Sequence, residues 1–199
     1  MGKRTEVRIT PFVAVLLLGM LLTDRSGVCL MTLLAALLHE CGHFLAARLL
    51  RIPLGNLHLD LLGARLEVRG RMLSYAEEWL LCAAGPAVSL TLAALGATLW
   101  SVPPLAEYAR QFSCASLVLG LLNLLPIRTF DGGRMTETML LSRFSERVVQ
   151  SVMRTCSFLL LFLLWAVAVY FLLRVGDGLS LFCFSMSLFS RFFEELEGR

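Results

Sequence analysis

Long apolar runs, separated by short arginine-bearing segments, dominate the chain. They cover residues 11–23, 28–50, 79–102, 112–127, 152–173 and 179–193. A helix that crosses a bilayer needs about 20 mostly apolar residues. The pattern therefore predicts an all-α membrane protein with about six transmembrane helices. The first and last runs are short, and 179–193 is equally compatible with a helix lying in the interface plane. Between the second and third runs the period changes. Leu57, Leu59 and Leu61 alternate with other residues, as do Ala64, Leu66 and Val68, and Gly63 separates the two sets. Alternation of this kind predicts a β-hairpin. Open strand edges are not tolerated against lipid, so the hairpin belongs at the interface or against protein. Pro103-Pro104 reads as a turn, and Glu77 and Glu78 favour the start of the third helix through its dipole. The phenylalanine-rich last run reads as lipid-facing.

Composition sharpens this picture. The 199 residues are 57% hydrophobic and only 17% charged, with mean hydropathy +0.75. Soluble domains carry about a quarter charged residues. A net charge of +3 is too small to suggest a nucleic-acid partner. The distribution of the charge says more. With six spans and a cytoplasmic N-terminus, the basic residues divide 15 on the cytoplasmic side against 3 (Arg25, Arg110, Arg174) on the other. The positive-inside rule predicts this split and puts both termini of a multi-pass membrane protein in the cytoplasm. None of the six cysteines forms a CxxC pair and all sit in or beside apolar runs, so they read as packing residues rather than a disulfide framework. No signal-peptide cleavage site closes the first run. A single polytopic domain over 1–199 is expected, with no internal repeat.

The second run contains His39-Glu40-Cys41-Gly42-His43. Two histidines at i and i+4 lie on one helix face, one turn apart. Both can reach one Zn²⁺ at about 2.0–2.1 Å. Glu40, next to the first histidine, is placed to act as general base toward water. Cys41 falls on another face. A chance HExxH in a core helix is the bland alternative. Ionisable residues within a membrane span are costly and mark function by default, and here three fall within five residues in metal-binding register.

A catalytic zinc takes a third protein ligand and keeps one position open. His58 lies in the hairpin and reads more simply as a solvated or capping side chain. Asp24, Asp60, Glu77, Glu78 and Asp177 lie at segment ends or in loops. Asp131 differs, because it follows the fourth run in the stretch Asn123-Leu-Leu-Pro126-Ile-Arg-Thr-Phe130-Asp131-Gly132-Gly133-Arg134. Pro126 ends or breaks a helix, and the glycines permit tight turns and close backbone approach. Unwound backbone at membrane depth is tolerated where it lines a cavity, so the segment after Pro126 is expected to fold back inward.

HECGH in one span, and NLLPIRTFDGGR about 90 residues later, resemble the site-2 protease family of intramembrane metalloproteases, with the stage IV sporulation protein FB-like members as the nearest pattern. Ala83-Ala84-Gly85-Pro86 matches a third family element. The resemblance covers roughly residues 28–140. It implies that His39, His43 and Asp131 hold Zn²⁺, that Glu40 activates water, and that Asn123 binds substrate or steadies the oxyanion. It also implies that the hairpin pairs with an unwound, membrane-tethered protein substrate, a sporulation pro-sigma factor being the type case. Two positions depart from the pattern without touching the metal chemistry: Ser89, where an asparagine is usual, and Phe130, where an aliphatic is usual. Neither a CBS nor a PDZ domain is expected. A regulatory membrane partner and self-association stay open.

Three other readings compete. A prenyl-protein peptidase would use a glutamate as third ligand on a later helix, and no such intramembrane ExxxD or ExxxH pattern is present. A metal-binding or transport protein would need polar groups along a path, which the fifth and sixth runs lack. An inactive homologue would be expected to have lost Glu40 or a ligand.

Overall fold

The computed structural model describes residues 7–9, 22, 24–52, 54–60, 63–68, 72–174 and 179–197. The expected first span, 11–23, lies outside these apart from Leu22. Two compact units divide the chain, Met1–Leu121 and Leu122–Arg199.

The first unit contains β1 (Val7–Ile9), α1 (Val28–Leu49), β2 (Leu54–Asp60), β3 (Gly63–Val68), α2 (Tyr75–Ala97), a 3₁₀ turn (Thr98–Ser101) and most of α3 (Ala106–Asn123). Strands β2 and β3 pair antiparallel in the register Leu57↔Leu66, His58↔Arg65, Leu59↔Ala64, with an irregularity between Leu54 and Leu57. The alternating segments thus do form strands. Sequence periodicity did not reveal the third strand: β1 pairs parallel with β2, giving the order β1-β2-β3. A three-residue strand is too short to carry an alternation signal.

Both ends of α1 have an identifiable cause. At its start, the backbone N–H of Cys29 donates to Asp24 Oδ2 at 2.6 Å, and Ser26 donates to Asp24 Oδ1 through its hydroxyl (2.6 Å) and its N–H (2.9 Å). Asp24 so takes up an orphan donor of the first turn. Those hydrogen bonds, the Ser26 hydroxyl first, hold its carboxyl below the ordinary 3.8. At the other end Arg51 adopts φ 53°. Its N–H donates to Arg48 O (3.2 Å), and the N–H of Ile52 reaches back to Ala47 O (2.8 Å). This is a Schellman closure with arginine at the position glycine usually takes. Ile52 then packs on Ala47 and Leu81, and the chain leaving α1 is pinned to α2.

Helix α2 opens with a capping box. Glu77 N–H donates to Ser74 Oγ (3.3 Å), and Ser74 N–H donates to Glu77 Oε2 (3.0 Å). Glu77 is therefore a reciprocal cap, a more local role than the dipole alone. Helix α3 starts six residues before the expected 112, because Glu107, Arg110 and Gln111 are helical although they are polar. It ends at Asn123, short of Pro126, which pushes its predecessor out of helical geometry.

The second unit holds the end of α3, then α4 (Asp131–Leu141), α5 (Glu146–Arg174) and α6 (Leu179–Glu197). Phe158 of α5 packs against Phe189 and Phe192 of α6, with ring centroids 6.4 and 6.3 Å apart. Phe192 is buried while Phe193 is exposed, so the phenylalanines of the last run are shared between α5 and the outside rather than being uniformly lipid-facing.

Among the described residues, three helices are long and apolar enough to cross a membrane: Val28–Leu49, Tyr75–Ser101 and Glu146–Arg174. Their large side chains point outward in number, with Leu37, Leu45, Leu49, Leu159 and Leu163 all exposed. A surface of this kind suits lipid rather than water, as in an integral membrane protein. The buried positions include many small residues, among them Ala35, Ala47, Cys82, Ser89 and Ala93, as expected where helices approach without a water-driven apolar core.

Candidate metal centre

The histidine pair lies entirely within the first unit. His39 is buried, and His43 and Glu40 are half-buried. One turn of α1 separates the imidazoles, and their Nε2 atoms face each other 3.2 Å apart. The rings meet edge to face, with centroids 4.9 Å apart and planes at 76°. Each ring is held at its other nitrogen by α2. His43 Nδ1–H donates to the carbonyl of Leu81 at 2.8 Å. A carbonyl can only accept, so this bond fixes the tautomer and leaves the His43 Nε2 lone pair facing His39. His39 Nδ1 is bonded to Ser89 Oγ at 2.9 Å.

The two supports straddle Gly85, four residues to either side. A Cβ at Gly85 would meet His43 Nε2, and would stand 2.6 Å from His43 Cε1 and 2.7 Å from His39 Nε2. Opposite it on α1, a Cβ at Gly42 would come within 2.9 Å of Ala84 O and 3.2 Å of Gly85 Cα. The two helix backbones therefore touch at Gly42 and Gly85, and the imidazoles lie in the hollow made by the missing side chain. Gly85 appeared in the sequence only as part of a matching stretch, and its role comes from this close approach. Ser89 needs a correction. It was expected to leave the metal chemistry untouched, yet it is the partner of His39. Leu81 gave no signal at all, since the group it contributes is its backbone carbonyl.

The arrangement suits a cation. Two nitrogens bonded to a tetrahedral ion at about 2.0–2.1 Å stand about 3.3 Å apart, close to the 3.2 Å seen here. Two acceptor lone pairs directed at each other repel unless a cation or a shared proton lies between them. A carbonyl or hydroxyl partner on the second nitrogen is the usual support of a metal-ligating histidine. Cys41 is exposed, in keeping with its place on another face of α1. His58 lies in β2 opposite Arg65.

Asp131 and Asn123 belong to the second unit. Asn123 is the last residue of α3, and Asp131 is the first of α4, where a carboxylate suits the positive end of the helix dipole. A tight turn joins them. Ile127 N–H donates to Leu125 O (2.7 Å) and Phe130 N–H to Ile127 O (2.8 Å). Gly132 and Gly133 are needed for contact rather than for dihedral freedom. A Cβ on Gly132 would strike the Leu124 carbonyl, and one on Gly133 would strike that of Ile127. The start of α4 is therefore pressed onto the turn, which fixes where Asp131 emerges. Arg128 braces the turn. Its guanidinium, 6% exposed, pairs with Glu137 of α4 at 2.7 Å, and its N–H donates to Ser157 Oγ of α5 at 3.1 Å.

Comparison with known proteins places these observations. The sequence profile of peptidase family M50 matches residues 104–166, which run from before α3 through the Asp131 turn into α5. The chain is 32% identical over 130 residues to proteins described as putative zinc metalloprotease Rip3 in two strains of Mycobacterium tuberculosis, Erdman and H37Rv. The match takes in 62% of this chain and 33% of each relative, so the chain matches about a third of the length of these relatives. The solved site-2 protease from Methanocaldococcus jannaschii shares the fold, with TM-score 0.62 over 98% of this chain and 93% of that one, at 19% identity. Residues 104–166 are thus similar to peptidase family M50, and the chain shares its fold with a solved site-2 protease.

Proposed function

We propose that this chain is an intramembrane zinc metalloendopeptidase of the site-2 type. The observation that carries the reading is the imidazole pair on an apolar helix, its Nε2 atoms 3.2 Å apart and its Nδ1 atoms tied to α2, with Glu40 next in sequence. His39, His43 and Asp131 offer two imidazole nitrogens and a carboxylate oxygen, a donor set that could hold a metal ion and one that suits zinc with a position left open. Zinc, when bound, supplies Lewis acidity that lowers the pKa of water and polarises a carbonyl. Glu40 takes the proton from the attacking water and passes it to the leaving amide nitrogen, as a general base and then a general acid. Asn123 orients the scissile peptide or steadies the developing oxyanion through its amide.

The substrate is a membrane-tethered protein whose cleaved segment is unwound. Extended backbone is recognised by adding a strand to a sheet edge. Strand β2 is central, with β1 and β3 on its two sides, so the addition falls on an outer edge, and six-residue β3 offers more pairing than three-residue β1. A sporulation pro-sigma factor is the substrate type suggested by the sequence motifs. The protein spans a bacterial cell membrane several times, with both ends cytoplasmic. Of the competing readings, a metal-binding protein without catalysis is the one that the same experiment separates.

The test uses the full chain in detergent. Bound zinc and cleavage of a tethered pro-sigma-type substrate are measured for the wild type, Glu40→Gln and Asp131→Ala. The expected result is about one zinc per chain, retained without cleavage in Glu40→Gln and lost in Asp131→Ala. A folded wild type that binds no zinc overturns the proposal. Zinc without hydrolysis of any tethered substrate points to a metal-binding role instead.

A further inference from the structure

Asp131 is the first residue of α4, so the direction of its carboxylate follows the tilt and rotation of that helix. Backbone contact fixes only the near end. Gly132 and Gly133 rest on the Leu124 and Ile127 carbonyls, and about that point α4 could still pivot. Arg128 supplies the further restraints. Its guanidinium bonds Glu137 Oε1 at 2.7 Å, six residues beyond Asp131, or about 9 Å farther along the axis. Its N–H donates to Ser157 Oγ at 3.1 Å. Ser157 is fully buried on α5, a helix long and apolar enough to cross a membrane. One residue therefore ties the turn to α5 and ties the far half of α4 to the turn. All of these elements lie in the second unit.

Stability alone does not account for an ion pair here. The Arg128 side chain is 6% exposed. An ionisable group inside a membrane protein is costly and marks function by default, and a buried pair is often no more stable than apolar residues of similar volume. What the pair adds is direction. Apolar side chains slide over one another at little cost, whereas a charge-assisted hydrogen bond holds donor and acceptor along one line. Metal–ligand distances tolerate only about ±0.2 Å, and Arg128 stands three residues before a proposed ligand.

We propose that Arg128 is a positioning residue: through Glu137 and Ser157 it sets the direction in which Asp131 presents its carboxylate to a metal ion. This rests on the zinc reading above.

The test uses the full chain in detergent. Arg128→Met/Glu137→Leu replaces the pair by apolar residues of similar size and is expected to melt close to wild type. Its zinc affinity, read by competition with a chelating indicator, is expected to fall about 10–100-fold, as when a ligand loses its outer support. Its cobalt(II) absorption, which reports coordination geometry, is expected to shift toward that of Asp131→Ala. Phe192→Ala is the control. Phe192 is buried and packs on Phe158, and neither residue belongs to the turn or to α4. This variant is expected to be less stable and yet to keep wild-type affinity and spectrum. Arg128→Lys keeps the charge on a flexible stem; it is expected to fall between wild type and the double variant, and it serves if the double variant does not fold. The proposal is overturned by wild-type affinity and spectrum in the double variant or in Arg128→Lys. It is also overturned by an equal loss of affinity in Phe192→Ala, which would make Arg128 one stabilising contact among others. A wild type that binds neither zinc nor cobalt fails the function reading instead. The metal-free protein still decides the positioning, because the N–H groups of Phe130 and Arg134 donate to the Ile127 and Phe130 carbonyls at the start of α4. Their hydrogen exchange is expected to be faster in the double variant than in wild type, and equal rates there overturn the proposal.

Discussion

Replacing Gly85 by alanine separates a metal-supporting geometry from ordinary helix packing. The added methyl would come 2.7 Å from His39 Nε2 and closer still to His43 Nε2, where ordinary contact begins near 3.4 Å. At least about 0.7 Å must be found. The backbones of α1 and α2 already touch at Gly42 and Gly85, so the helices have little room to supply it, and the imidazoles must move. Metal–ligand distances tolerate only about ±0.2 Å, so the displacement exceeds the tolerance more than threefold. Overpacking by itself costs about 1–3 kcal/mol. The metal term adds to this: at a zinc concentration of 100 Kd the wild type gains about 2.7 kcal/mol of stability, and the variant is expected to gain almost none. Thermal unfolding in detergent, with and without zinc, reads both quantities, and chelator competition reads the affinity directly, with a fall of more than about 100-fold expected (roughly 2.7 kcal/mol at 1.36 per decade). Wild-type zinc affinity in Gly85→Ala, with the fold intact, would refute the idea that the imidazoles rest in the hollow at Gly85.

Further predictions concern the supports around the centre. Arg51 is exposed and left-handed, so Arg51→Gly is expected to raise stability by about 1 kcal/mol, and a lower melting temperature would show that the arginine side chain matters more than its backbone strain. Arg128→Ala leaves Glu137 without its cation, at a cost of about 3 kcal/mol given that Glu137 keeps some exposure; in an unfolding series, an Arg128→Met/Glu137→Leu double variant is expected to recover most of that loss, and failure to do so would mean the guanidinium acts through other contacts. The Asp24 carboxyl is held below its ordinary value by the Ser26 hydroxyl and the backbone. Its contribution is therefore present above about pH 3.8 and is lost as pH falls through the lower folded value. Hydrogen exchange at the first turn of α1 should speed up over that range in the wild type, and a flat profile there would refute the cap.

The residues proposed to bear the chemistry were readable because local rules govern them. Spacing of i and i+4 places His39 and His43 on one face whatever else the chain does, and apolar surroundings make a chance occurrence expensive. The Leu57–Leu61 and Ala64–Val68 alternation marked the hairpin for the same reason. Boundaries were read less well where polarity and helicity part company. Glu107, Arg110 and Gln111 are helical in α3, and Glu146 and Arg147 in α5, so scanning for apolar residues starts both helices six residues late. The supports were illegible in principle. Ser89 is 50 residues from His39 in sequence and looked like a mere departure from a pattern, the Leu81 carbonyl belongs to every residue type, and Gly85 shows its purpose only when the neighbouring imidazoles are in view. The glycines after Asp131 were read correctly as allowing close approach, and the carbonyls that force it, those of Leu124 and Ile127, came from the structure.

Because α1 carries both imidazoles and α2 supports each of them, the first unit presents a two-nitrogen chelate that does not by itself choose a metal. Among divalent ions, nitrogen ligands of this kind bind copper more tightly than zinc, and nickel nearly as well as either. Discrimination must then come from what completes the coordination: a hard carboxylate, the shape it imposes, and the supply of ions in the cell. Protein prepared on a nickel resin or in copper-bearing buffer is accordingly expected to carry the wrong ion and stay silent in a cleavage assay, and the identity of the bound metal belongs beside every measurement of activity.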